Sequence, residues 1–469
     1  MESEMITKGL EKWFLIIALM VGSLLIFLTP PMASPDENDH FFNAIAFSEG
    51  NWLPEIQDDM RGRALPTCIV DFVNSYNERF AGNVDAKYSY NEAYLNWELE
   101  SDFEPHNFQE YWNSNVSLLA YLPSGTGMFI YRILGKVFPT ITVSPYNLLM
   151  IGRFCNLFFY ISLIYLAIKW SPIMKNTMFL VSLLPMSIFL ASTLSYDTVV
   201  IGCSMLLFAR SMKIMSTEKT VCVQDLIVIS FCALMCFSVK QAYIPLLIVL
   251  LSIPIRRFGG YKRYISYVAL TILSGVIPYF LFSAGKAIVE KEFVWKYAGA
   301  MELQKNVILG APLHFIQNVG NSFMHLGRFY YISMLGCLGQ LDTNLPIVIL
   351  YGLTFFILLV SVVEVSSQNI ITIKCKCMTV VGVFLTIYAM FAGTYMIWTS
   401  TRYSIGLDYV EGIQGRYFIP LYLWIIVLFA NSKLMKTFKW KTLLMKCVLG
   451  ACIYSLFITL ICVFLRYWV

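Results

Sequence analysis

Long apolar stretches recur along the chain, separated by short polar joints, and they approach or reach the roughly 20 residues that a helix needs to cross a bilayer. They cover 13–31, 147–169, 177–194, 198–212, 223–239, 242–256, 263–284, 346–365, 377–398, 417–431 and 443–466. A further piece, 117–138, "SLLAYLPSGTGMFIYRILGKVF", is apolar but interrupted by Pro123, Gly125 and Gly127 and closed by Arg132 and Lys136. The pattern predicts an all-α, polytopic membrane protein with about eleven transmembrane helices. The composition agrees: 58% of residues are hydrophobic and 13% charged, too apolar for a soluble fold of this length to bury. Residues 13–29 carry no charge, and Pro30 and Pro31 crowd their exit in place of a cleavage site, so they read as an uncleaved first span.

Charge sets the expected topology, because short cytoplasmic loops are enriched in Lys and Arg. If 117–138 does not cross, the inside joints hold Lys8, Lys12, Lys169, Lys175, Arg210, Lys213 and Lys219. They also hold Arg256, Arg257, Lys262, Arg263, Lys374, Lys376, Lys433, Lys436, Lys439 and Lys441. The short outside joints then hold only Lys240, Arg402 and Arg416. Were 117–138 a span, this bias would invert, so it reads as a helix lying along the outer surface. The expected protein is a multi-pass cell-membrane protein with its N-terminus cytoplasmic and its C-terminus outside. It forms one integral membrane domain over 1–469: a helical module at 1–284 with an outer loop at 32–146, a second outer loop at 285–345, and C-terminal helices at 346–469.

A net charge of +5 records this orientation and points to no nucleic acid. The twelve cysteines lie mostly in apolar stretches, where Cys behaves as a small hydrophobe, and their spacing suggests no metal site. Cys68 and Cys337 are the two placed outside, the pair that a disulfide would join.

The first outer loop is acidic, with sixteen Asp and Glu between Asp36 and Glu110 against four basic residues. Its start, "SPDENDHFFNAIAFSEG" at 34–50, reads as a helix beginning with Ser34 as N-cap, Pro35 in the first turn and Glu37 closing a capping box. Asp36, Asp39, His40 and Asn43 then form one stripe, and Phe41, Ala44 and Ile45 another, as in a helix lying flat on the membrane. Capping alone would account for Glu37, and simple solvation for Asp39 and His40. Asp36, in the first turn of a surface helix, is placed as a general base. Asp36, Asp39 and His40 together could also hold a divalent cation, although no cofactor is required.

Cations and aromatics stand at later outer helix ends. Arg153 lies in "IGRFCN", about two turns below the outer end of its span. Tyr196 and Asp197 lie in "LSYDT", Lys240 and Tyr243 in "SVKQAY", and Gln414, Arg416 and Tyr417 in "EGIQGRYFIP". Arg416 and Tyr417 could be ordinary interfacial anchors, but two glycines and a Gln ahead of them favour a tight functional turn. No span carries an ionisable residue near its centre, which argues against an ion-coupled transporter.

The blocks "SPDENDHFFNAIAFSEG", "YLPSGTGMFIYRILG", "LSYDTVVIG", "VKQAYIPLL", "LGCLGQLDTNLP" and "GIQGRYFIPLY" resemble, in order, those of the bacterial membrane family designated domain of unknown function 2142. That family is similar to the C-type glycosyltransferases, multispanning enzymes with an acidic residue in the first outer loop that use polyprenyl-phosphate sugars as donors. The resemblance implies a C-type glycosyltransferase-like architecture and transfer of a sugar from a polyprenyl-phosphate donor to a cell-surface glycan or lipid-linked acceptor. It implies Asp36 as base with Glu37 beside it, and Arg153, Lys240 and Arg416 as binders of the donor phosphate. Asp39, His40, Tyr196, Asp197, Asp342, Gln414 and Tyr417 are expected to line the pocket or the acceptor site. A polysaccharide polymerase, a lipid-linked sugar flippase and a structural scaffold are the alternatives.

Overall fold

The computed structural model describes residues 9–99, 101–364, 371–429 and 441–469. Of the expected cytoplasmic cations, Lys8, Lys433, Lys436 and Lys439 lie outside the described residues, as do the last two residues of the expected span 417–431.

The chain opens with α1 (Leu10–Leu28), followed by α2 (Glu37–Glu49). A three-stranded antiparallel sheet, in the order β1-β2-β3, is built from β1 (Glu55–Gln57), β2 (Met60–Pro66) and β3 (His106–Glu110). Helices α3 (Thr67–Phe80) and α4 (Tyr90–Glu98) lie between β2 and β3 in the chain. In its register Glu55 faces Gly62 and Gly62 faces Glu110. Next come α5 (Leu122–Val137), α6 (Pro145–Trp170), α7 (Lys175–Ser182), α8 (Pro185–Ala191), α9 (Asp197–Ser216) and α10 (Val223–Val239). A 3₁₀ helix at Gln241–Ser252 leads to α11 (Tyr261–Val289), α12 (Ala298–Gly310) and α13 (Pro312–Leu335). A short hairpin of β4 (Cys337–Leu338) and β5 (Thr343–Asn344) precedes α14 (Ile347–Glu364) and α15 (Ile373–Thr394), which runs on through a π turn at Tyr395–Thr399 to Arg402. A 3₁₀ helix at Gly415–Leu421, then α16 (Tyr422–Ile426) and α17 (Lys441–Tyr467), complete the fold.

Among the described residues, seven helices are long and apolar enough to cross a membrane: α1, α6, α9, α11, α14, α15 with its continuation, and α17. The remaining four expected spans are apolar but shorter or broken. Residues 177–194 divide into α7 and α8 at Pro185, which cannot continue the backbone ladder. Pro245 stands inside the 3₁₀ helix that replaces 242–256, and Pro420 inside the one that begins 417–431. Helix α10 is regular but only 17 residues long.

Segment 117–138 is not among the long apolar helices. Its α5 packs through Gly125 on Phe47 and through Gly127 on Cys155, leaving Phe129, Ile130, Ile133 and Leu134 exposed as an apolar face. The segment 285–345, expected as an outer loop, is mostly helical. Its α13 stacks Phe323 against Phe391 of α15 and Phe418 of the 3₁₀ turn. Cys68 and Cys337 are free thiols, not a disulfide.

The two ends of the bundle differ. The C-terminal ends of α17 and α1 lie together: Trp468 Nε1 donates to the Leu28 carbonyl at 2.9 Å and Tyr467 Oη to the Ala33 carbonyl at 3.2 Å. At the far end of α9, Arg210 pairs with Asp225 at 2.6 Å and lies over the Trp170 ring, while Arg257 donates to the Ile214 carbonyl at 2.8 Å. Also along this region, Glu364 closes the N-terminus of α7 by accepting from the backbone and side chains of Asn176 and Thr177 at 2.6–2.9 Å.

Candidate functional site

The site is built at the exit of α1. Helix α2 does not begin as its sequence suggests. Ser34 is not its cap; its hydroxyl lies 3.0 Å from that of Thr193, and the N-cap residue is Asp36, with φ 59° in the left-handed region and no side-chain capping bond. Asp is one of the few residues other than Gly that reach this region at modest cost, and such backbones concentrate at functional sites. Glu37 forms no capping box either. It is wholly buried, accepts a two-pronged pair from Arg153 (Nε to Oε1 2.9 Å, Nη2 to Oε2 2.6 Å) and accepts the Leu194 N–H at 2.9 Å. A buried, bidentate guanidinium is a stronger partner for a carboxylate than a backbone N–H at a helix start.

Arg153 spends its remaining N–H groups on the carbonyls of Ile26 (3.1 Å), Thr29 (2.6 Å) and Pro30 (2.9 Å). It therefore satisfies the carbonyls left open at the end of α1 and has no donor left for a phosphate. Arg153 and Glu37 are structural; neither the donor-binding role of the first nor the catalytic role of the second fits this geometry.

Nor does α2 lie on a surface. Ten of its thirteen residues are buried, Asp39, His40 and Asn43 of the polar stripe among them. Asp39 Oδ2 accepts the backbone and side-chain N–H of Asn113 at 3.1 and 3.0 Å, and Oδ1 accepts from Asn38 at 2.9 Å. His40 Nδ1 is 2.8 Å from the Tyr121 hydroxyl, and its ring meets Tyr196 edge-on at 4.7 Å. Burial, with the charge of Asp36 next in weight, pushes the Asp39 carboxyl from 3.8 up to about 7. Burial pulls the His40 imidazole from 6.5 down to about 4, with Asp36 opposing. The trio Asp36, Asp39 and His40 is thus divided among separate partners. Among the described residues no group of three or more His, Cys, Asp or Glu stands together to hold a metal ion.

The tenth expected span does meet the first loop. Arg416, 2% exposed, places Nη2 2.5 Å from Asp36 Oδ2. Its Nε is 3.1 Å from Asp197 Oδ2 but not aligned as a hydrogen bond, so among the described residues Nε and Nη1 have no hydrogen-bond partner. Asp197 also receives Lys240 Nζ at 3.1 Å, and that ammonium sits 3.4 Å from the centre of the Tyr417 ring. Two acids and two cations so close one network. Gly415 makes the approach feasible: its N–H donates to Ser333 Oγ at 2.9 Å, and a Cβ there would stand 1.9 Å from the Tyr330 carbonyl oxygen. The Tyr243 hydroxyl holds the same turn through the Tyr417 carbonyl at 2.7 Å.

Asp36 is the accessible member, 48% exposed. It faces a cavity of about 360 Å³ together with Tyr196, Gln414, Tyr417, Trp112 and Trp398. The Gln414 Oε1 atom is buried without a partner. Arg416, Lys240 and Asp197 lie behind this wall and do not line it. Asp342 belongs elsewhere: it pairs with Arg466 at 2.7 and 3.1 Å and ties the end of α17 to the β4–β5 hairpin. Sequence reasoning missed Trp112, Asn113, Trp398 and Glu411, which also line the cavity. They sit in irregular or helix-end segments with no periodicity to mark them; only the aromatic richness of the first loop hinted at Trp112.

Two outcomes test this geometry. Arg153→Ala should destabilise the protein by about 3–5 kcal/mol by leaving Glu37 buried and uncompensated. Thermal unfolding in detergent should show that loss, and Glu37→Gln added to Arg153→Met should recover part of it. A carboxyl whose pKa is raised on folding stabilises fully below its unfolded value of 3.8, and this contribution is lost as pH rises through about 7. A histidine whose pKa is lowered does the reverse, its contribution being present above 6.5 and lost as pH falls through about 4. The protonated-carboxyl infrared band of Asp39 should accordingly fade as pH rises through about 7 and be missing from Asp39→Asn.

No curated protein and no solved structure matches the chain. The family described as predicted membrane protein DUF2142 matches residues 19–425, from the middle of α1 to the end of the second 3₁₀ helix and into α16. That span includes Asp36, Glu37, Arg153, Asp197, Lys240 and Arg416, so the whole charged centre lies within the matched region. This chain belongs to the DUF2142 family of predicted membrane proteins.

Proposed function

We propose that the protein is a membrane glycosyltransferase of C-type glycosyltransferase-like architecture, moving a sugar from a polyprenyl-phosphate donor to a cell-surface glycan or lipid-linked acceptor outside the cell. One observation carries this reading. The half-exposed carboxylate of Asp36 faces an aromatic-walled cavity, anchored from behind by a buried guanidinium.

A sugar on a lipid phosphate is already activated, because its leaving group departs as a stable anion. The acceptor hydroxyl oxygen attacks the anomeric carbon, the bond from that carbon to the phosphate oxygen breaks, and the hydroxyl proton passes to Asp36. Arg416 holds the Asp36 carboxylate at the edge of the cavity; it is a positioning residue, as is Lys240 through Asp197. Proton transfer falls late in the displacement, when the attacking hydroxyl has become acidic on bonding to an electron-poor carbon. Tyr196, Tyr417, Trp112 and Trp398 line the cavity, where aromatic rings suit the apolar C–H faces of a pyranose, and Glu411 and Gln414 bring polar groups for its hydroxyls.

The membrane sidedness belongs to the same proposal. The acidic, cavity-bearing end lies outside with the C-terminus, and the end with Lys169, Arg210, Lys213 and Arg257 faces the cytoplasm with the N-terminus. The positive-inside rule supports it.

In the purified protein given labelled polyprenyl-phosphate sugar, Asp36→Asn should lower transfer by about 10²–10⁴-fold while leaving the melting temperature close to that of the wild type. Substantial transfer by the folded Asn variant would defeat the assignment.

A further inference from the structure

The cations expected to hold phosphate are sequestered, yet a second cavity adjoins the first. It measures about 470 Å³ and shares Trp112, Asn113 and Ile397 with the Asp36 cavity. Two cations line it, Arg61 of β2 and Lys286 near the end of α11. Both turn to one acid: Arg61 Nη1 is 3.4 Å and Lys286 Nζ 3.7 Å from the carboxylate of Glu290. The three side chains therefore carry a net charge of +1. They are largely withdrawn from solvent, at 11%, 24% and 18% exposure, where an uncompensated charge is costly. The Nε of Arg61 is buried with no hydrogen-bond partner among the described residues. Burial pulls the Arg61 pKa down, with Glu290 and, more weakly, Glu110 opposing.

The cavity lining also includes aromatic and aliphatic side chains, interspersed with polar ones such as Ser238, Gln241 and Ser283. Phe282 and Tyr279 stand one turn and two turns before Lys286 on the same face of α11, beside Val239 and Met301. Helix α11 is also the most open of the long apolar helices, with only 11% of its apolar window buried against the rest of the protein. Charge at the top and an apolar path toward the outside of the bundle describe an amphiphile with an anionic head.

We infer that Arg61 and Lys286 form the binding site for the phosphate of a lipid phosphate whose chain leaves along Tyr279 and Phe282 of α11. This rests on the proposed transfer reaction and relocates its leaving group from Arg153, Lys240 and Arg416 to the next cavity. The head group then lies across Trp112 from Asp36, so that the sugar bridges the two cavities and its phosphate departs away from the base. A guanidinium and an ammonium suit the task, the first through paired N–H groups and the second as a point charge. Glu290 competes with the incoming phosphate for both cations.

The test uses the full chain in detergent micelles with farnesyl phosphate, farnesol and inorganic phosphate as probes. Farnesyl phosphate should bind at least about tenfold more tightly than either other probe, since head and chain both contribute. Tight binding of inorganic phosphate alone would overturn the lipid assignment, and equal binding of farnesol the phosphate assignment. Arg61→Gln and Lys286→Gln should each weaken farnesyl phosphate by at least about tenfold. Glu290→Gln should strengthen it, a gain that misfolding does not produce; unchanged or weakened binding in that variant would refute the competition and with it the site. Failures of the two readings separate. Binding that follows these variants without any sugar transfer would leave the phosphate site standing and sink the transferase. Transfer with an unaltered donor KM in Arg61→Gln would do the opposite.

Discussion

The buried pair of Glu37 and Arg153 is the constraint on which the site depends. It joins three things that the chain separates widely: the carbonyl end of α1, the first residue of α2 and the turn at Leu194 before α9. Two charges removed from water are kept there only because every guanidinium donor finds an oxygen and both carboxylate oxygens find donors. Once Glu37 is held inward, Asp36 must take the left-handed turn ahead of α2, and its carboxylate is aimed the other way, toward Arg416 and the cavity. One acid is committed to structure so that its neighbour is exposed for chemistry.

The charged centre has the same logic at a second level. Asp197 stands between Lys240 and Arg416, and Arg416 between Asp197 and Asp36, so the ends of three apolar helical segments converge through alternating charge. Gly415 lets its turn press onto α13, and the two unpartnered donors of Arg416 mark where the network is under-satisfied. Under-satisfied buried donors are uncommon in structures and most readily kept where a ligand or a moving partner completes them. The same feature recurs at Arg61 in the neighbouring cavity, so the two cavities present an acid backed by a cation and a pair of cations sharing an acid. Trp112 stands at their junction, edge-on to Trp295 and Trp398 and tilted against Tyr297.

Individual residues show where reading the sequence stopped. Asp36 and Arg416 were both legible, one as an acid just beyond the first span and the other as a cation in a glycine-flanked turn. Their distance of 380 positions along the chain gave no hint of a 2.5 Å contact. Ser34, Pro35 and Glu37 together look like a helix start, yet the local capping preference lost to a buried guanidinium that no local pattern reveals. Arg153 stands out in the sequence as an arginine inside an apolar span, but whether its donors meet a ligand or the protein's own carbonyls depends on where α1 ends. Arg61 and Lys286 passed unremarked, because cations in an irregular loop and near a helix end look like ordinary solvated groups.

By itself, the sequence determined that this is a helical membrane protein and that its acidic segment follows the first apolar helix. Those properties follow from summed hydropathy and charge, which are local and additive along the chain. Only the tertiary structure decided which apolar stretches are full-length helices, since Pro185, Pro245 and Pro420 act on particular backbone bonds. It alone also decided which charges are spent on each other and which face a cavity. Pairing of buried charge is a contest among partners remote in sequence, and it is settled by distance, alignment and exclusion of water.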